Sequence, residues 1–173
     1  MDFYNFLPTF EECNEICDKV KLAVKHPETG EPKTMFAFAP NTHEVGGKTI
    51  TTFNYGLFTS YQTFDTPFDD RKHMTAYELR GITFIPQEDG SYERVLALPK
   101  FFNLNQHEPV QYGYLKDKKI ARVQDKRDGS MVSFIRVDGK LYPRTKNSFI
   151  SPQCPLTDKF VENNANYKEF IHA

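Results

Sequence analysis

The chain has 173 residues, of which 39% are hydrophobic and 14% aromatic, enough for one folded unit with an apolar core. A charged fraction of 26% argues against a disordered chain, and no stretch approaches the roughly 20 consecutive apolar residues of a membrane span. The net charge of −1 hides an uneven distribution: over residues 115–146 ten Lys or Arg stand against four Asp, so the remainder is acidic. A basic stretch of this kind is either a solvated face or a place to hold phosphates.

The opening Met1-Asp2-Phe3-Tyr4 is acidic and aromatic, unlike the basic and then apolar start of a secretory signal, which implies a cytoplasmic location. Thr9 followed by Glu12 has the spacing of a capping box. Cys13, Ile16, Cys17, Val20 and Val24 then recur at helical intervals, predicting an amphipathic helix that His26-Pro27-Glu28-Thr29-Gly30 stops. Cys13 and Cys17 lie one helical turn apart and Cys154 is distant, so the three form neither a disulfide framework nor a zinc ribbon and are expected as buried thiols. Residues 35–39 and 49–58 are aromatic or β-branched runs that predict strands, separated by the turn-rich Pro40-Asn41 and Gly46-Gly47. Residues 65–74 are polar and read as a connection.

Residues 81–85 and 94–98 flank Glu88-Asp89-Gly90-Ser91, whose Asp-Gly predicts a hairpin. Residues 120–125 and 131–137 are expected as strands on either side of a loop, Lys126-Arg127-Asp128-Gly129-Ser130, and Asp138-Gly139 supplies the next tight turn towards Leu141 and Tyr142. The stretch 157–171 predicts a terminal helix with Thr157 as its N-cap. The whole reads as a single α+β domain over residues 1–173, a mainly antiparallel sheet with an N-terminal helix and a C-terminal helix.

The pentapeptide at 126–130 carries the chemistry. Taken alone, Asp-Gly is a turn between strands and the lysine beside it a solvated surface group. The same turn also fixes the lysine in space. If it opens into a pocket, the amine can attack phosphorus, provided nearby positive charge or desolvation populates the neutral form. Arg127, Arg144 and Lys146 are candidates for that charge.

These residues resemble the covalent nucleotidyltransferases, the superfamily of ATP-dependent ligases and mRNA-capping enzymes whose nucleophile motif is Lys-x-Asp-Gly. Ser130 after the glycine resembles the RNA ligase branch, and four ordered blocks resemble the phage RNA ligase of the tRNA-repair type. The blocks are Glu78-Leu79-Arg80-Gly81-Ile82-Thr83-Phe84, Pro99-Lys100-Phe101-Phe102-Asn103-Leu104-Asn105, the Lys126 motif, and Tyr142-Pro143-Arg144-Thr145-Lys146-Asn147-Ser148. The resemblance, which runs over about residues 53–151, implies the first part of a nucleotidyltransferase (ATP-grasp-like ligase) domain.

By that resemblance Lys126 would attack the α-phosphate of ATP and hold AMP, with magnesium as the accompanying ion, and AMP would pass to an RNA 5′-phosphate before a 3′-hydroxyl displaces it. Arg80, Lys100, Phe102, Asp128, Gly129 and Lys146 match family positions around ATP and its phosphates. No metal ligand is assigned. Asn147 departs from the family example, which has glycine there. After Ser151 the glutamates and the Lys-x-Lys pair of the later motifs find no counterpart, so the resemblance covers the N-terminal part of the adenylation domain only. The alternatives are a fragment, one half of a split ligase completed by a second polypeptide, or a non-catalytic nucleotide- or RNA-binding relative. A DNA ligase or capping enzyme is disfavoured by Ser130 and the Lys100 block. A nuclease or dinucleotide enzyme finds no motif, and no membrane partner is expected.

Overall fold

A computed structural model describes residues 7–25, 28–56, 59–60, 63–64, 67–68, 71–98, 100–126 and 128–172. In chain order the elements are α1 (Phe10–Lys19), β1 (Lys21–Lys25), β2 (Pro32–Phe36), β3 (Phe38–Val45), β4 (Lys48–Tyr55), β5 (Pro67–Phe68), β6 (Arg71–Thr75), β7 (Ile82–Pro86), β8 (Tyr92–Val95), α2 (Tyr112–Leu115), β9 (Ser133–Val137), β10 (Lys140–Arg144), α3 (Gln153–Glu162) and α4 (Ala165–His172). Every strand pairing is antiparallel among the described residues, so the fold is α+β with a mainly antiparallel sheet.

The central sheet has four strands in the order β3-β4-β7-β8. Side chains alternate along a strand, so each face of this sheet collects its own apolar set. Phe53, Ile82 and Phe84 pack with Cys13, Ile16 and Cys17 of α1 on one face. Ile50 and Ile85 pack with Ile135 and Val137 of the β9–β10 hairpin on the other. The α1 helix starts as its local sequence dictates: the Thr9 N–H donates to Glu12 Oε2 at 2.7 Å and the Glu12 N–H donates to Thr9 Oγ1 at 3.2 Å. All three cysteines are free and buried. Burial pushes the Cys17 thiol up to about 12 and raises Cys13 well above its ordinary value, so neither is a nucleophile near neutral pH.

Several elements differ from the sequence reading. The first helix, expected to continue through Val24, ends at Lys19, and Lys21–Lys25 pairs with Pro32–Phe36 as a strand instead, a partner the local helical spacing does not reveal. Pro40 and Asn41 lie inside β3 rather than in a turn; β3 is an edge strand, where a proline without an N–H costs no ladder bond. The chain reverses instead at Gly46 and Gly47, with φ of +61° and +80°. Residues 67–68 and 71–75, read as a connection, form the short β5–β6 ribbon. Residues 120–125 belong to no strand, so only the second half of the expected meander forms, as the β9–β10 hairpin turning at Asp138-Gly139. Thr157 lies within α3, which begins at Gln153 and tolerates Pro155 in its first turn, where the missing N–H has no intrahelical partner to lose. The expected single terminal helix is broken at Asn163-Asn164, whose side-chain amides donate to the Lys159 and Phe160 carbonyls at 2.9 and 2.6 Å.

Candidate active site

A cleft of about 560 Å³ opens where the strand ends of the central sheet meet the 126–131 segment. Arg80, just before β7, forms one wall with Leu98 and Phe101; Lys126, Gly129, Ser130 and Met131 form the second; Thr145, Lys146 and Asn147, just after β10, form the third, and Ser151 and Gln153 close it. Three cationic side chains from three separate stretches of chain therefore share one concave surface.

Each cation is held differently. Arg80 donates from Nη1 to the Leu98 carbonyl at 2.7 Å and lies over the Phe101 ring at 5.1 Å, which orients the planar guanidinium. Lys146 is placed through Gly81. This residue has φ of +102°, and a Cβ there would come within 2.6 Å of the Lys146 carbonyl oxygen, so the strap carrying Lys146 lies directly on the backbone beside Arg80. The Lys146 ammonium sits 4.2 Å from the centroid of Tyr55 at the end of β4. Lys126 is exposed on its loop. Gly129 has φ of +141° and no atom within 4 Å of where its Cβ would stand, so the backbone there adopts a conformation that favours glycine beside open space.

Asn147 does not adopt a positive φ, and its side-chain Oδ1 accepts from Asn41 Nδ2 of β3. The Asn147 backbone also acts on the His43 ring, opposing the burial that lowers its pKa, and the ring packs edge-on to Phe149 at 5.1 Å. The strap carrying Lys146 is thus tied to β3 on one side and to Gly81 on the other.

The remaining sequence candidates lie elsewhere. Phe102 does not line the cleft: it packs edge-to-face on Phe64 at 6.0 Å and Tyr77 at 5.8 Å, against the α1-side core, and Phe101 is the ring that faces the cleft. Lys100 is boxed by the rings of Tyr55, Phe64 and Phe102 at 5.1 to 5.7 Å. It reaches the site through Tyr55 rather than as a lining residue. Asp128 is exposed and is not among the lining residues. Arg127 falls outside the described residues.

Arg144, a candidate for charge beside the lysine, is instead 1% exposed. Its guanidinium donates to the Gly81 carbonyl at 2.7 Å, to Thr83 Oγ1 and to the Leu96 carbonyl at 3.2 Å. Burial pulls its pKa down to about 10. Arg144 is a fastener between β10 and the sheet, with no face towards the cleft. Among the described residues no group of three His, Cys, Asp or Glu is placed to hold a metal ion.

Tyr55 is the residue that sequence reasoning missed. Burial opposes ionisation of its phenol, but the charges of Lys146 and Lys100, with hydrogen bonds from Lys146 and Arg80, outweigh it and draw its pKa below the ordinary value. A tyrosine at the end of a mostly buried strand reads as core; only the converging lysines and arginine reveal its polar role.

No protein-family profile matches the chain. Among curated proteins it is similar to one named "Putative RNA ligase" from Thermovibrio ammonificans, with 34% identity over 109 residues. The match takes in 62% of this chain and 26% of the relative, so the aligned segment spans about a quarter of that protein's length. The similarity is to a protein of that name, and it is partial. No helix of the described residues is long and apolar enough to cross a membrane.

Proposed function

We propose that this chain carries the nucleotide-accepting part of an ATP-dependent RNA ligase of the tRNA-repair type, with Lys126 as the residue that takes AMP. The observation that carries the reading is the gathering of Lys126, Gly129, Arg80 and Lys146 into one cleft from three stretches of sequence. The name of the partial relative supports the same class of reaction.

The chemistry follows from the groups present. The neutral Lys126 amine uses its lone pair to form an N–P bond to the α-phosphorus of ATP, the bond to the bridging oxygen breaks, and pyrophosphate leaves with that electron pair. The amine proton passes to solvent. Arg80 binds phosphate oxygens with its planar fork, and Lys146 faces the charge that develops as pyrophosphate departs. Tyr55 holds both cations in register and presents its hydroxyl beside them. Gly129 lets backbone approach the nucleotide. The phosphoramidate then gives AMP to the 5′-phosphate of an RNA end, and a 3′-hydroxyl displaces it to seal the strand. Magnesium would screen the triphosphate, although the described residues offer no carboxylate cluster for it. A second polypeptide that supplies further groups is compatible with this reading. A nucleotide- or RNA-binding relative without turnover is the alternative.

The test is incubation of the whole chain with α-labelled ATP and magnesium, followed by recovery of an acid-labile AMP adduct on Lys126. Lys126→Arg and Lys126→Ala should abolish the adduct while circular dichroism stays unchanged; Arg80→Ala or Lys146→Ala should lower labelling by about 10²–10³. An adduct that survives in Lys126→Ala sinks the nucleophile assignment, and no adduct on the unsubstituted chain favours the binding relative over turnover by this chain alone.

A further inference from the structure

The stretch leading into Lys126 has no role in the site described above. Every described residue over 111–131 is exposed, and between Lys119 and Val132 the described residues belong to no helix or strand. Lys116, Lys118, Lys119 and Arg122 form no ion pair with any described residue, although the chain as a whole is slightly acidic. Cations left without carboxylates in such a chain point to an anionic partner rather than to a salt-bridged face.

Two aromatic rings precede them. Tyr112 and Tyr114 are 63% and 64% exposed on α2, and the Lys118 ammonium lies 5.3 Å from the centroid of the Tyr114 ring. Exposed aromatic faces next to a run of cations, here with Asp117 the one carboxylate among them, are the pattern that binds single-stranded nucleic acid, through base stacking and phosphate binding, with little dependence on sequence. The chain also sets the direction. Arg122 is four residues from Lys126, so its backbone lies within about 14 Å of the nucleophile's, by the reach of extended chain.

We infer that Tyr112, Tyr114, Lys116, Lys118, Lys119 and Arg122 form a track for single-stranded RNA that leads a strand end towards the Lys126 cleft. This rests on the ligase reading for what happens at the end of the track, but the binding itself is independent of Lys126 chemistry. A protein partner, docking on the exposed Ile120 and Val123, is the competing occupant.

The experiment is fluorescence anisotropy of a 5′-phosphorylated, unstructured RNA oligonucleotide with the whole chain, across a salt series. Replacing Lys116, Lys118, Lys119 and Arg122 together by Gln should weaken binding at least about tenfold and flatten the salt dependence by roughly 0.7 for each phosphate no longer neutralised. Tyr112→Ala with Tyr114→Ala should weaken binding while leaving that slope in place. Binding of the four-Gln variant within about twofold of the parent, with an unchanged slope, overturns the track. So does self-association that Ile120→Ser and Val123→Ser abolish while RNA affinity is unaffected by the Gln and Ala changes. AMP labelling of the unsubstituted chain without RNA reads the ligase assignment separately, so failure of one is distinguishable from failure of the other.

Discussion

Three segments converge on Gly81. Its N–H donates to the Phe53 carbonyl at 2.8 Å, its carbonyl accepts from Arg144 at 2.7 Å, and its Cα faces the Lys146 carbonyl. Any side chain there meets two costs at once, the positive φ and the approach to 2.6 Å. Gly81→Ala is therefore expected to cost about 1–3 kcal/mol of stability, measured by urea denaturation, and to displace Lys146 from the cleft. Nucleotide labelling should fall by more than the decrease in folded protein explains; a Gly81→Ala protein with full labelling and parent stability would show the strap to be independent of this close approach. The site residues were legible in unequal degree for reasons visible at this scale. The family resemblance picked out Arg80, Lys126 and Lys146, and one cleft brings the three together. Phe102 was the ring chosen from the resemblance, yet Phe101 lines the cleft, because which of two adjacent rings faces a cleft depends on the turn of an irregular segment. Arg144 read as a site cation because nothing local says that a charge will be buried.

Elements governed by local rules were the legible ones. The Thr9–Glu12 box, the hairpin turning at Gly90 and the Asp138-Gly139 turn all depend on residues within a few positions of one another. Elements governed by distant partners were not. Residues 120–125 look like a strand by composition, but a strand exists only where another pairs with it, and no described strand does. Proline in β3 is tolerated because that strand is an edge, which its own sequence does not announce. The β9–β10 hairpin depends on tertiary packing in the same way: Ile135 and Val137 pack under the sheet, and Arg144 bolts it to Gly81, Thr83 and Leu96. Arg144→Met would keep much of the volume and relieve a buried charge, yet strand the acceptors. The expected net loss is about 1–3 kcal/mol in denaturant unfolding. A variant as stable as the parent would mean that hairpin packing alone seats β10.

At the scale of the molecule, pH enters through His43. Burial lowers its pKa from 6.5, with the hydrogen bond to Asn147 opposing, and its Nε2 is buried with no hydrogen-bond partner among the described residues. The unfolded chain therefore binds this proton more readily than the folded one. Its contribution is complete above the unfolded value and is lost as pH falls through about 6.5 and below. Stability compared between about pH 7.5 and about pH 5.5 should fall more for the parent than for His43→Gln; equal losses would remove His43 as the cause.

The bare stretch before Lys126 has a colloidal consequence. Ile120 and Val123 are 76% and 84% exposed beside backbone that pairs with nothing described, which is the composition of a self-association seed. Lys116, Lys118, Lys119 and Arg122 surround those two side chains with like charge, and repulsion between copies is what keeps such a seed silent. Contact between two copies through this stretch should consequently grow easier as salt screens the charges beside Ile120 and Val123, which light scattering of the parent and of Ile120→Ser with Val123→Ser across a salt series would read.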